Sequence, residues 1–361
     1  MIKRGDGRYN VYVGSYAEEN NQGIYWYVFD PDSCTMELVD SVSEIKNPSY
    51  LNIDKDQRFL YATSEVEESK TCEGGSVVSY SISRTAGKLL RLNEKLTLGD
   101  VPCYVSVGHD DQFLFIANYT GSSVSMFSVE EDGQIGELED LVQHKGRSVN
   151  TDRQEKPHPH AAVLDAGHRF LFVPDLGMDQ IRIYEINYES RKLIAHGKVD
   201  LPPGSGPRHL VIHENQKHAY CINELNGTVT AFAYDPVKAA LEIVQTIKTL
   251  PNLDFEENSC AEIRIAPSGK FLYASNRQHS SITTYEIDEK TGLLAYVGFT
   301  PTGGRTPRNF ALTPDGSFLL AANQDTHTIE AFEVDPATGG LTHKGTLAHV
   351  SQPNYLKIAI N

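Results

Sequence analysis

IRIAPSGKFLYASNR, residues 263–277, reads as two short strands joined by a tight turn. The apolar IRI leads into Pro267, Ser268 and Gly269, which favour turns. FLYAS follows, rich in the aromatic and aliphatic side chains that favour strands. The same pattern recurs in DKDQRFLYATSE (54–65), GHDDQFLFIANY (108–119), DAGHRFLFVPDL (165–176), HENQKHAYCINE (213–224) and TPDGSFLLAANQ (313–324). Upstream of each turn lies a matching first strand: SYLNI, CYVSV, HAAVL, RHLVI, AEIRI and RNFAL. Five of these are preceded by Pro48, Pro102, Pro159, Pro207 and Pro307, and Cys260 holds the place in the remaining copy. A proline suits a strand's first residue, where its missing N–H breaks no ladder bond.

A third, alternating strand follows each hairpin (SVVSYSI, SVSMFSV, IRIYEIN, TVTAFAY, ITTYEID, IEAFEVD), and a weaker fourth precedes the next repeat. Four antiparallel strands recurring every 46 to 57 residues are the signature of β-propeller blades. The ends of the chain complete the ring. YLKIAIN at the C-terminus is a first strand with nothing after it. NVYVGSY, GIYWYVF and MELVDSV at the N-terminus are a second, third and fourth strand with nothing before them. The expected fold is therefore all-β: one seven-bladed propeller domain over residues 1–361, closed by a blade shared between the two ends. Closure removes an exposed sheet edge. The chief irregularity is the polar stretch KGRSVNTDRQEKP (145–157), a candidate rim loop or lid.

Composition narrows the function. The 361 residues are 40% hydrophobic and 22% charged, as in an ordinary soluble protein, and no apolar run approaches the length of a membrane span. The polar start MIKRGDGRYN lacks a secretory signal's apolar stretch, so the cytoplasm is the expected compartment. Cys34, Cys72, Cys103, Cys221 and Cys260 lack CxxC spacing and read as reduced thiols. A formal charge of −16 argues against nucleic acid or an anionic membrane as partner, but allows a small anion held by local arginines. A monomer or weak homo-oligomer is expected. There is no GxSxG elbow, P-loop or dinucleotide fingerprint, and the WD40 dipeptide pattern is missing, with Trp26 the sole tryptophan.

In an antiparallel hairpin the start of the first strand lies beside the end of the second. Strand starts supply His158 and His160, Arg208 and His209, Glu262, and Arg308. Strand ends supply Asn118, Asp175, Asn223, Glu224, Asn276, Arg277 and Gln324. Ionisable side chains thus gather on one face around the central channel, while turn residues such as Asp54, Asp110, Ser268 and Asp315 occupy the other. Each has a plainer reading: His160 could simply bond a neighbouring blade, and the arginines could pair with Glu224 or Glu262 as a structural network. Strand alternation turns His209 away from the pocket that Arg208 faces. The HPH motif has no third ligand at recognisable spacing, so no metal and no other cofactor is expected.

RQEKPHPHAAVLD (153–165), GPRHLVIHENQKHAYCINELNGTV (206–229) and IRIAPSGKFLYASNR resemble the lactonase family of seven-bladed propellers. That family includes bacterial 6-phosphogluconolactonases of the propeller type and fungal carboxy-muconate lactonizing enzymes. The resemblance spans essentially all blades. It implies hydrolysis or formation of a sugar-acid lactone, with a small anionic lactone as partner. The substrate it suggests is 6-phospho-D-glucono-1,5-lactone of the pentose phosphate pathway. It also implies catalytic roles for His160, Arg208, Glu224 and Arg277, all on the face chosen by topology. His158, Asn118, Glu262, Arg308 and Gln324 are the expected substrate-binding neighbours. His160 or Glu224 would be the general base, and Arg208 or Arg277 would stabilise the oxyanion while the other holds the anion. A lactonizing cycloisomerase would use the same groups. A non-catalytic propeller that binds a protein or carbohydrate would instead bury Arg208 and Glu224 in a salt bridge with no pocket beside them.

Overall fold

A computed structural model describes residues 7–68, 74–108, 110–251 and 258–360. It forms seven four-stranded antiparallel sheets. Blades are numbered here from the first complete repeat. Their inner strands are Pro48–Ile53, Pro102–Gly108, Val163–Leu164, Pro207–Ile212, Cys260–Ile265, Pro307–Leu312 and, for the shared seventh blade, Pro353–Ile360. In that seventh blade Pro353–Ile360 pairs with Tyr9–Ser15, which pairs with Ile24–Asp30 and then Thr35–Val42. The ring therefore closes as the repeat pattern requires. Among the described residues no helix is long and apolar enough to cross a membrane.

Apolar side chains fill the seams between neighbouring blades. Leu60, Tyr61 and Tyr80 of the first blade share a core with Leu114 and Ile116 of the second, and Phe29 of the seventh meets Phe318 of the sixth edge-on at 5.3 Å. The opposite face carries the turn residues, and their roles are structural. The Asp54 carboxylate accepts from the backbone N–H groups of Arg58 and Phe59 at 2.6 and 2.8 Å, and Asp165 does the same for Arg169 and Phe170.

One irregularity is repeated around the ring. At the head of the inner strand the register slips in six blades, for example between Pro207 and His209, and between Pro307 and Asn309. The third blade has the same count, since Pro159 bridges Asp175 and Val163 pairs Phe172. Each inner strand thus carries one extra residue against its partner, a β-bulge that bends the strand and re-aims side chains. In the third blade this leaves only Val163–Leu164 of the expected HAAVL strand in regular pairing. There the Asp175 carboxylate takes the His158 N–H, and His160 N–H reaches Pro174 O.

Closure gives the first prediction. Leu356, 1% exposed on the closing strand, should lose about 2–5 kcal/mol of stability as Leu356→Ala. Leu38→Ala, at a site 56% exposed on the outer strand of the same blade, should stay within about 0.5 kcal/mol. Urea midpoints measure both, and equal midpoints would contradict a closed ring.

Candidate active site

Three stacked rings of side chains line the channel on the face where the inner strands begin. The first lies one residue beyond each second strand: Tyr16, Glu65, Tyr119, Leu176, Glu224, Arg277 and Gln324. Their backbones are held alike. Each N–H donates to a carbonyl just ahead of the adjacent inner strand, as Glu224 does to Gly206 at 2.7 Å and Arg277 to Ser259 at 2.9 Å. The second ring follows each strand head: Ser49, Cys103, His160, Arg208, Ala261, Arg308 and Asn354. The third is the next residue along, and includes Tyr50, Tyr104, His209, Glu262, Asn309 and Tyr355.

The centre of the site is the Glu224 carboxylate, buried and surrounded by three guanidinium groups. Oε2 accepts from Arg208 Nε at 3.1 Å and lies 2.9 Å from Arg277 Nη2, while Oε1 accepts from Arg153 Nη2 at 2.6 Å. Burial alone would raise its pKa, but Arg277, Arg208 and Arg153 outweigh it and hold the group well below the usual carboxylate range. Arg208 also donates to Ala261 O at 2.8 Å, and Arg277 to Ser259 Oγ and, at 3.1 Å, Cys260 O. Burial, then Arg308 and Arg277, bring Arg208 down to about 10, so it is still a cation at neutral pH.

His160 faces the same channel, its Nδ1 3.6 Å from Cys103 Sγ and its ring 5.4 Å from that of His209. Burial, then Arg208, His209 and Arg308, push its pKa well below 6.5, so it is neutral. Arg308 lies over the Tyr16 ring at 5.4 Å, and the Tyr16 hydroxyl donates to Glu65 at 2.9 Å. His160, Arg208, Arg308, Glu65 and Cys103 border a cavity with room for about one water (≈ 10 Å³). Glu224, Arg277 and Arg153 lie outside this cavity's lining.

Several expected neighbours lie elsewhere. Asn118 ends its strand and turns into the sheet, donating to Ser123 Oγ and Ser125 Oγ; Tyr119, one residue on, reaches the site. His158 stacks on Tyr119 at 4.3 Å and is engaged by the Tyr119 carbonyl and Glu155, away from Glu224. Glu262 belongs to the third ring, below the site, where it accepts from His209 Nδ1 at 3.2 Å and from Asn309. Gln324 completes the first ring, beside the sixth blade. His209 does not turn away from the pocket as alternation suggested. Arg208 is the bulged residue, so both it and His209 border the cavity, and Arg208 Nη1 lies 3.3 Å from His209 Nε2. Sequence reasoning missed Arg153, Tyr16, Glu65 and Tyr119. The signal for the last three was positional, since they align with Glu224 and Arg277 in the repeat.

Four guanidinium groups, Arg153, Arg208, Arg277 and Arg308, face two carboxylates, Glu65 and Glu224. The site is locally cationic in a chain of charge −16. A larger groove of about 540 Å³ on the opposite face is lined by four acids, Asp110, Asp111, Glu130 and Glu131, against two arginines, Arg58 and Arg191, so its charge balance is acidic. Among the described residues no group of three or more His, Cys, Asp or Glu side chains could hold a metal ion. Cys34, Cys103, Cys221 and Cys260 are free thiols, and Cys72 lies outside the described residues.

Two of the buried imidazoles, His160 and His209, make stability depend on pH. His209 falls to about 4 through burial, with Arg208 opposing the pull of Glu262, and His160 lies well below 6.5. Below 6.5 the unfolded chain binds protons that these folded histidines refuse. Stability present above that pH therefore falls on acidification, by about 1.4 kcal/mol per pH unit for each histidine. Urea unfolding between pH 7 and 5 should show this slope, and His160→Gln should remove one proton's share. An unchanged slope would contradict a neutral His160.

Comparison with known proteins places the whole chain in a family. The chain is 33% identical over 304 residues to the 6-phosphogluconolactonase of Bacillus subtilis, covering 84% of each chain. It is 34% identical over 308 residues to that of Formosa agariphila, covering 84% of this chain and 86% of the relative. The solved structure of the periplasmic gluconolactonase of Pseudomonas aeruginosa superposes with a TM-score of 0.92 at 32% identity, over 98% of this chain and all of that one. The sequence pattern described as "Lactonase, 7-bladed beta-propeller" matches residues 10–358, and the protein belongs to that family.

Proposed function

We propose that this protein hydrolyses 6-phospho-D-glucono-1,5-lactone to 6-phosphogluconate, the lactonase step of the pentose phosphate pathway. The observation that carries the reading is an ionised glutamate among three arginines on the strand-head face of a lactonase-family propeller. The named activity of the Bacillus and Formosa relatives supports the phosphorylated substrate.

In this reading Glu224 draws a proton from water as the water oxygen adds to the lactone carbonyl. Arg208 and Arg277 face the oxyanion that forms. The ring C–O bond then breaks and the ring oxygen takes the proton back from Glu224. The product acid ionises to release a proton to solvent. His160 stays neutral and orients the water; becoming an imidazolium beside Arg208 and Arg308 would be unfavourable. A δ-lactone is already prone to hydrolysis, so moderate acceleration suffices.

The burial and ion pairing of Arg208 and Glu224 favour a second reading, a propeller that binds without catalysis. Acid release from the phosphorylated lactone, measured against spontaneous hydrolysis, separates the two. The wild type should exceed the blank, Arg208→Ala should fall about 10²- to 10³-fold, and Glu224→Gln about 10²- to 10⁴-fold. A wild-type rate equal to the blank would reject this substrate. Activity should persist in EDTA; loss restored by a divalent ion would overturn the metal-free scheme. The cytoplasm is the compartment we propose, supported by the free thiols, and cell fractionation tests it, since the Pseudomonas relative is named as periplasmic.

A further inference from the structure

Glu224 presents a difficulty for any chemistry at its carboxylate. Its side chain is 3% exposed, and both oxygens are occupied by arginines. Three guanidinium groups make it a weak base as well as a covered one. Two of the three, Arg208 and Arg277, grow from the blades and are anchored by further bonds to the Ala261 and Cys260 carbonyls. The third is different. Arg153 comes from the rim loop 145–157, its side chain is 43% exposed, and besides Glu224 Oε1 it meets the Tyr119 hydroxyl at 3.2 Å.

The loop under Arg153 is fixed. Buried Gln154 donates to Leu176 O at 2.8 Å, Ser148 N–H to Gln154 O at 3.0 Å, and Lys156 Nζ to Thr120 O at 2.8 Å. Gly177 lets the loop lie close, since a Cβ there would stand 1.9 Å from Lys156 O. The backbone is thus pinned while the guanidinium reaches half into solvent. A rotation of one side chain uncovers Glu224 Oε1 without moving the loop.

We propose that Arg153 is a substrate-operated latch: the anionic tail of the substrate draws its guanidinium off Glu224, so a lactone carrying a phosphate uncovers the base that a neutral lactone leaves covered. The proposal rests on the lactonase reading above and adds a reason for its specificity. A phosphate offers a guanidinium two parallel charge-assisted bonds, and an approaching dianion meets Arg153, 43% exposed, before Arg277 at 14% and Arg208 at 4%. When Arg153 leaves, Glu224 loses one of its three cations and becomes a stronger base. The charged and titratable groups facing it are then Arg208, Arg277 and Arg308, with the Tyr119 hydroxyl and the Cys260 thiol. Arg153 is a positioning residue for Glu224 and a specificity residue for the tail.

The test compares wild type, Arg153→Met and Arg153→Lys on 6-phospho-D-glucono-1,5-lactone and on unphosphorylated D-glucono-1,5-lactone. Wild type should favour the phosphorylated substrate in kcat as well as in KM. Arg153→Met should raise KM for that substrate about 10- to 100-fold. It should raise kcat on the neutral lactone toward that on the phosphorylated one, so that the kcat preference disappears. The acidic limb of its kcat/KM profile on the neutral lactone should move up by about one pH unit, because Glu224 has lost a cation. Arg153→Lys should recover part of the preference. A rise in KM with the kcat preference and the acidic limb unmoved would reduce Arg153 to a binding group and overturn the latch.

A second readout does not depend on turnover. The ¹³C signal of the Glu224 carboxyl, assigned by its loss in Glu224→Gln, should shift when inorganic phosphate is added to wild type and stay still in Arg153→Met. A wild-type signal that ignores phosphate overturns the latch even if both lactones are hydrolysed. Absence of turnover with a phosphate-dependent shift would sink the lactonase reading while leaving the latch in place.

Discussion

The extra residue at the head of each inner strand is the constraint on which the site depends. In regular pairing, successive side chains alternate between the two faces of a blade, and a channel-facing residue has its neighbours turned into the seams. One added residue breaks that alternation where the strand emerges beside the channel. Two consecutive side chains can then border the channel, as Arg208 and His209 do. The repeated backbone bond from the residue after each second strand, Glu224 to Gly206 and its six counterparts, fixes a further ring above them. Seven ordinary hairpins thereby converge on one small area, each contributing side chains whose identity is free to vary because the backbone does the positioning.

That freedom is used to gather charge. Burying a carboxylate is unfavourable unless it is paired, and burying an arginine is equally so. Glu224 with Arg208 and Arg277 satisfies both, and Glu262 with His209 and Asn309 supplies a second satisfied layer beneath. The partners of His209 fix its tautomer: Nδ1 donates to Glu262 and Nε2 accepts from Arg208. The lower layer therefore orients the upper one. Excess positive charge remains on the upper layer, which suits an anionic ligand, and the overall charge of −16 is carried elsewhere on the surface.

The fold was legible because its evidence is repetitive. Turn chemistry, strand patterning and the strand-head prolines recur, and the unmatched ends at NVYVGSY and YLKIAIN have one economical solution. The face on which the ionisable side chains gather followed from hairpin geometry alone. What stayed hidden depended on single-residue register. Asn118 and Tyr119 are adjacent in sequence, yet one is tied into the sheet and the other reaches Arg153. His209 was misread because alternation was applied across a bulge, and bulges leave little trace in composition. Arg153 lies in a loop outside the repeat, so no alignment of blades could point to it; only the folded path over Leu176 and Gly177 brings it to Glu224. Repeats specify backbone, and a residue outside them such as Arg153 is placed only by the folded chain.

The central claim is that the strand-head face holds the reacting centre. A crystal structure with 6-phosphogluconate bound tests it most directly. The account predicts the product's new carboxylate against Arg208 and Arg277, and its phosphate on Arg153, turned away from Glu224. Product bound in the acidic groove of the opposite face, with Glu224 still covered, would contradict it.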